Sequence, residues 1–225
     1  MTTKVTFPSQ GGKLDGWLAE PAGSAKHGGL VVLQEWHGVN DVMKQLVDRF
    51  ADAGFLAVAP DLYHGQVATN DEQAGKLMGA LDFPRAIREI GDTVASLRGH
   101  ARCNGKVGVT GFCLGGALTF AAAANVEGIA AAVPFYGLPQ IPPAELGKKI
   151  QAPVQAHFAK VDDWAKASVA EEIKKAIESR GGHMELHVYD AGHAFMRSTD
   201  PSKYAPEAAK LAWQRATEFL KKHLG

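Results

Sequence analysis

One cysteine in the sequence stands in a setting suited to covalent chemistry. Cys113 is the centre of Gly111-Phe112-Cys113-Leu114-Gly115-Gly116, preceded by Lys106-Val107-Gly108-Val109-Thr110 and followed by Ala117-Leu118-Thr119-Phe120 and a run of alanines. A β-branched run, a glycine-flanked cysteine and a small-residue helix describe a sharp strand-to-helix turn that presents one nucleophile. Glycines leave room for the strained backbone of such a turn. At the head of a helix the peptide dipole favours thiolate. The alternative is a buried structural cysteine beside a tight turn, and glycine on both sides argues for the nucleophile. The chemistry is then acyl transfer through the thiol, which needs a base, a carboxylate to orient that base, and donors for an oxyanion.

Candidates for these parts lie at the ends of apolar runs. His193 falls in the last such loop, Tyr189-Asp190-Ala191-Gly192-His193-Ala194-Phe195, whereas the other eight histidines lie mostly in expected surface helices or loops and read as solvent-exposed. The order nucleophile, acid, histidine is that of α/β-hydrolases, in which the histidine takes the proton and returns it to the leaving group. The acid should follow Val154 to Phe158 and precede a helix at Ala165, where Asp162 and Asp163 are the acids present. Asp162 is favoured, because Asp163 is better placed to cap the helix. Glu35 closes the run Leu30-Val31-Val32-Leu33-Gln34. If it points inward, an unscreened carboxylate there opposes ionisation of the thiol or takes its proton. The oxyanion donors expected of the fold are the backbone amides of Leu114 and Trp36. No metal and no cofactor is implied, since His37, His64 and the acids show no recognised ligand spacing.

These residues need a scaffold that brings distant strand ends together. Val5-Thr6-Phe7 and Leu14 to Ala19, separated by Gly11-Gly12, predict an antiparallel hairpin at a sheet edge. Leu30 to Gln34, Phe55 to Ala59, Lys106 to Thr110, Ile129 to Phe135, Val154 to Phe158 and Glu185 to Tyr189 read as buried strands. Helices are expected from Asn40, as N-cap, to about Ala53, with Val42, Leu46 and Phe50 at helical spacing, from Asp71 to Leu81, and from about Pro84 to Leu97. Two more run from Ala165 to Ser179 and from Pro206 to Leu224, with a proline-rich loop at Pro139, Pro142 and Pro143. The alternation predicts one α/β domain over residues 1–225, with a mostly parallel sheet covered on both faces. Ligands bind such sheets beyond the carboxyl ends of the strands, where all the candidates fall.

Composition narrows the partners. The chain has 225 residues, 46% of them hydrophobic, and its 24 basic and 24 acidic residues balance, so neither nucleic acid nor an anionic membrane is an expected partner. No apolar run approaches the roughly 20 residues that span a bilayer, and no leader pattern opens the chain. The expectation is a soluble, cytoplasmic protein, a monomer or small homo-oligomer acting on a small molecule, with both cysteines reduced. A thiol redox role would need a resolving cysteine, and Cys103 precedes the strand at its opposite end, roughly 20 Å from Cys113.

With these residues in view, the chain resembles the dienelactone hydrolase family, the α/β-hydrolase branch with a cysteine nucleophile. The matching stretches are Gln34-Glu35-Trp36-His37-Gly38, Pro60-Asp61-Leu62-Tyr63, Asn104 to Gly108 leading into Gly111 to Leu118, Tyr136-Gly137, and Ala191 to Phe195. The resemblance implies an α/β-hydrolase fold and cleavage of an ester or lactone. It also implies a Cys113, Asp162, His193 triad, with Glu35 controlling the ionisation of the cysteine. Substrate contacts are implied at Arg197 and Tyr136. In the dienelactone enzymes proper two arginines bind the substrate carboxylate. Arg197 matches one, whereas the places of the other arginine and its neighbouring tyrosine hold Asp71 and Gly75. Arg85 or Arg88 would have to substitute from the next helix.

Overall fold

The computed structural model describes residues 1–225. Eight strands form one sheet: β1 (Thr3–Ser9), β2 (Gly12–Ala19), β3 (His27–Leu33), β4 (Leu56–Pro60), β5 (Cys103–Phe112), β6 (Ile129–Phe135), β7 (Val154–Val161) and β8 (Met184–Gly192). Seven helices connect them: α1 (Asp41–Asp52), α2 (Asp71–Gly79), α3 (Phe83–Arg98), α4 (Leu114–Asn125), α5 (Pro143–Lys149), α6 (Ala167–Glu178) and α7 (Pro206–Leu224). The spatial order is β1-β2-β4-β3-β5-β6-β7-β8, antiparallel in the β1–β2 and β2–β4 pairs and parallel in the rest. This is the α/β-hydrolase architecture expected from the alternation of apolar runs.

The central strands are buried on both faces, and their period of two sorts side chains into two cores. Val31 and Leu33 of β3 join one cluster with Ile90 and Val94 of α3, Phe120 of α4 and Ile173 of α6. Leu30 and Val32 join the other, with Phe50 of α1 and Phe219 and Leu220 of α7. Asn40 caps α1 by accepting from the Met43 amide, as its side chain is suited to do. The buried stripe of α1 is Met43, Val47, Phe50 and Ala51, so Phe50 is buried as expected, whereas in the first two turns the buried positions fall one residue later, with Val42 exposed and Leu46 only partly buried. The loop at Pro139 to Pro143 also holds an unforeseen element. Pro143, in the first turn of α5, supplies the fixed φ that a helix start accepts. No helix is long and apolar enough to cross a membrane.

Topology alone assembles the strand ends. The chain leaves β3 toward β4 and then returns to β5 on the other side of β3, so the crevice between β3 and β5 is the switch point of the sheet. Leu33 pairs with Gly111, which places Glu35 and Cys113, each two residues further on, side by side. Phe112 pairs with Phe135, bringing Tyr136 beside Cys113, and Val161 pairs with Gly192, bringing Asp162 beside His193.

Close packing at the turn explains its glycines. A Cβ on Gly115 would collide with the backbone carbonyl of Leu33, and one on Gly116 with that of Phe135. The strain expected of the turn is carried by Cys113 itself, at φ 54° and ψ −115°, while the glycines permit close approach. Gly116→Ala is expected to destabilise by about 1–3 kcal/mol through overpacking. For a chain of this size that lowers Tm by roughly 2–12 °C. A thermal melt checks it, and an unchanged Tm would contradict the packing argument.

Candidate active site

Cys113 is the N-cap of α4, and its amide donates to the Phe135 carbonyl at 3.1 Å. Helix α4 is buried along nearly its whole length, so the Cys113 turn is held from below by packed small residues. Four non-glycine residues have positive φ, and three of them are Cys113, Tyr136 at 32°, which packs on His193, and Ala194 at 62°, which follows His193 in the chain. Backbone strain of this kind persists only where surrounding structure over-determines it, and it clusters at functional sites.

The Cys113 Sγ lies 3.3 Å from His193 Nε2, and His193 Nδ1 lies 2.7 Å from Asp162 Oδ2. Nδ1 therefore carries the hydrogen toward the carboxylate and leaves Nε2 facing sulfur. The other Asp162 oxygen accepts from the amides of Trp164 and Ala165, both at 2.9 Å, so the carboxylate is fixed in place. Burial alone would favour its neutral form, but these hydrogen bonds and the His193 charge hold Asp162 below the usual carboxylate range. Asp163 is exposed and does not cap α6. That helix starts after Lys166 with no side-chain cap. The expectation that Asp163 serves as a cap is thus corrected.

The Leu114 and Trp36 amides, the expected oxyanion donors, make no hydrogen bond within the chain. The Trp36 carbonyl accepts from the Tyr63 hydroxyl at 3.1 Å, and the Gln34 side chain accepts from the Leu62 amide at 3.1 Å. These contacts tie the loop after β3 to the loop after β4, and the Glu35 carbonyl, in the same peptide as the Trp36 amide, accepts from the Gly38 amide at 3.1 Å. Tyr63 and Gln34 were not among the expected site residues.

Glu35 turns inward, but its carboxylate goes to Arg197 at 2.5 Å, and no hydrogen bond joins it to sulfur. Each of these side chains is 14% exposed. Burial opposes the Arg197 charge, and Glu35 more than offsets this and raises its pKa. Removing one partner of such a pair strands a charge in a desolvated site. Arg197→Met is therefore expected to cost about 3–5 kcal/mol, most of it restored in the double variant Glu35→Leu/Arg197→Met. Denaturant unfolding of the four proteins checks this, and equal losses in the single and double variants would contradict it.

Tyr136 is buried with its ring edge against His193 and Phe195, each at 5.2 Å between centroids. Burial first, and then the charges of Glu35 and Cys113, push its hydroxyl well above the ordinary range, so it stays a neutral phenol. Arg85 does not replace the missing arginine. It pairs with Glu89 at 2.8 Å and lies against Gly11 at the far edge of the sheet. Asp71 pairs with His37 at 3.2 Å, and Arg88 is exposed. No group of three or more His, Cys, Asp or Glu is arranged to hold a metal ion.

The solvent-exposed reading of the other eight histidines holds for His64 and His183 alone: His27, His37, His100, His187 and His223 are half-buried, and one departs entirely. His157 on β7 is fully buried, stacked on Phe135 at 4.5 Å. The Gln155 amide nitrogen donates to Glu185 at 2.6 Å, which turns its oxygen toward His157 Nε2 at 3.1 Å. That nitrogen must carry the hydrogen, and Nδ1 accepts from the Tyr189 hydroxyl at 2.8 Å. Burial, with the charges of His187 and Arg215, keeps the His157 pKa well below the ordinary value, so the imidazole is neutral. This network locks β7 to β8, the two strands that carry Asp162 and His193. The alternation Gln155, His157, Ala159 along a buried strand was the signal that could have found it.

Comparison with known proteins gives the family of the chain. The chain is 34% identical over 233 residues to Protein usf of Aquifex pyrophilus, covering 100% of both proteins. It is 34% identical over 203 residues to the carboxymethylenebutenolidase of Pseudomonas sp. (strain P51), covering 86% of this chain and 84% of that protein. In fold it matches the crystal structure of the dienelactone hydrolase-like promiscuous phosphotriesterase P91 from metagenomic libraries. The TM-score is 0.88 at 22% identity, over 100% of this chain and 99% of that one. The sequence profile described as the Dienelactone hydrolase family matches residues 14–224, and the chain belongs to that family.

Proposed function

We propose that this chain is a carboxylic ester hydrolase that opens a lactone or small ester through a thioester on Cys113. The observation that carries this reading is the line from Asp162 through His193 to Cys113, at 2.7 and 3.3 Å, ending on a strained strand-to-helix turn. The family and the name of the Pseudomonas relative point to a lactone as the acyl donor.

In this reading Sγ attacks the acyl carbon while His193 Nε2 holds the proton taken from the thiol. The free amides of Leu114 and Trp36 receive the oxyanion, and they are preorganised because the carbonyls of the same two peptides are held, that of Cys113 by the Gly116 and Ala117 amides and that of Glu35 by the Gly38 amide. Collapse of the tetrahedral species expels an alkoxide that takes its proton from His193. Water, deprotonated by the same nitrogen, then cleaves the thioester. Asp162 holds the imidazole in the required tautomer throughout. The Glu35–Arg197 pair keeps that carboxylate occupied, away from the sulfur.

A panel of 4-nitrophenyl esters and an enol lactone tests the proposal, with release of both acid and alcohol measured. Hydrolysis with an initial burst matching the enzyme concentration is expected. Stoichiometric labelling of Cys113 without turnover on any member would favour a silent ligand-binding protein.

A further inference from the structure

A cavity of about 130 Å³ lies between the loop after β4, the end of α2 and the start of α3. None of Cys113, Asp162 and His193 lines it. Its apolar wall comes from Leu62, Leu77, Leu81 and Ala86, and the exposed side chains of His64, Asp82 and Arg85 border it. The volume approaches the roughly 150 Å³ that admits benzene, so a molecule of about four or five heavy atoms fits.

Glu89 is the unexplained member of this wall. It is 3% exposed and sits in the buried stripe of α3 between Ala86 and Ile90, where an apolar residue is expected. Its Oε1 accepts from Arg85 Nε at 2.8 Å and lies 3.4 Å from His64 Nε2. Its Oε2 is buried and has no hydrogen-bond partner. Anchoring Arg85 would give Glu89 a purely structural purpose, but that contact uses one oxygen and leaves a desolvated acceptor beside the cavity.

The charges around the cavity specify the donor that Oε2 lacks. Two carboxylates, Asp82 and Glu89, line it against one guanidinium, which favours a cation over a neutral donor. A further guanidinium pairs best with both oxygens of a carboxylate, and Oε1 is already taken. An ammonium is a compact donor that a single oxygen satisfies. The covering loop is preformed, because the Asp61 carboxylate accepts from the Tyr63 and Gly65 amides at 3.2 and 2.7 Å, and His64 between them sits at φ 51°.

We propose that this cavity binds a short primary alkylammonium, its nitrogen donating to Glu89 Oε2 and its alkyl chain lying among Leu62, Leu77 and Leu81. The ligand is a molecule distinct from the acyl donor, so the site does not depend on the ester-hydrolase reading.

Amide ¹H–¹⁵N spectra of the full chain, titrated with butylammonium at neutral pH and with butan-1-ol as the uncharged control, read the site directly. Saturable shifts are expected at residues 62–66, 77–82 and 85–89, with the alcohol binding at least about tenfold more weakly. Glu89→Gln keeps the shape and removes the charge, and should weaken butylammonium binding by about tenfold or more. A thermal melt checks that this variant folds. If it does not, the contrast between butylammonium and butan-1-ol in the wild-type protein decides. Shifts confined to other parts of the chain, no saturation, equal affinity for the two compounds, or butylammonium affinity within about twofold in a folded Glu89→Gln would each overturn the site. Ester turnover plays no part in these readouts, so failure of the hydrolase reading leaves the test intact.

Discussion

Cys113→Ala is expected to lower kcat/KM for a small aryl ester by about 10⁴-fold or more. The magnitude follows from how the parts depend on one another. Without sulfur, His193 has no thiol to deprotonate, and the Leu114 and Trp36 amides stabilise an oxyanion that only water can generate. What remains is the contribution of binding and the oxyanion donors. Steady-state kinetics checks this, with Cys103→Ala as the control, since Cys103 is buried at the opposite end of β5. A Cys113→Ala protein that retains a tenth of wild-type turnover would remove the thiol from the mechanism.

Asp162→Asn is expected to lower kcat by about 10³–10⁴-fold while leaving the fold intact. The carboxylate accepts the His193 Nδ1 hydrogen, and an amide in its place can present an N–H and favour the wrong tautomer. Asp163→Asn should leave turnover unchanged, because that side chain is exposed. The pH profile adds a second readout. Burial works against a charged His193, but hydrogen bonds to Asp162 and Cys113, and the negative charge of both, outweigh it and raise the pKa to about 9. In the proposed mechanism the imidazolium protonates the leaving group, so kcat/KM should fall as pH rises through about 9. Asp162→Asn should move that limb to lower pH. The sign for stability is parallel. The folded state holds this proton more tightly than the unfolded chain, so the contribution is fully present below pH 6.5 and disappears as pH rises through about 9. Asp162 acts oppositely, its contribution being lost as pH falls through its lowered folded value.

Much of this site was legible because its residues are fixed by local rules. The cysteine turn has a signature of its own, a short strand followed by glycines that only a tight backbone approach requires. His193 and Asp162 follow from strand order, since each ends an apolar run on the same rim of a parallel sheet. Glu35 was legible in position but not in pairing. The chain brings it beside Cys113 through the register of Leu33 with Gly111, yet its choice of Arg197 over sulfur depends on side chains separated by 162 residues. His157 escaped notice because a lone histidine in an apolar strand resembles a surface residue until its neighbours on β8 are known. The first two turns of the α1 stripe were off by one position because apolar spacing of three or four leaves the phase of a short helix ambiguous, and packing against β2 and β4 buries Met43 and Val47 in place of Val42 and Leu46. Helix α5 was masked by prolines, which mark loops and helix starts alike.

The covalent intermediate is the centre of the account. Wild-type protein mixed with a slow aryl ester, quenched in acid within one turnover and weighed intact by mass spectrometry should gain the mass of one acyl group. Proteolysis should place that group on the peptide holding Cys113, and hydroxylamine should remove it, as expected of a thioester. Acyl transfer to any other residue, or wild-type turnover by Cys113→Ala with no acylated species, would contradict the mechanism.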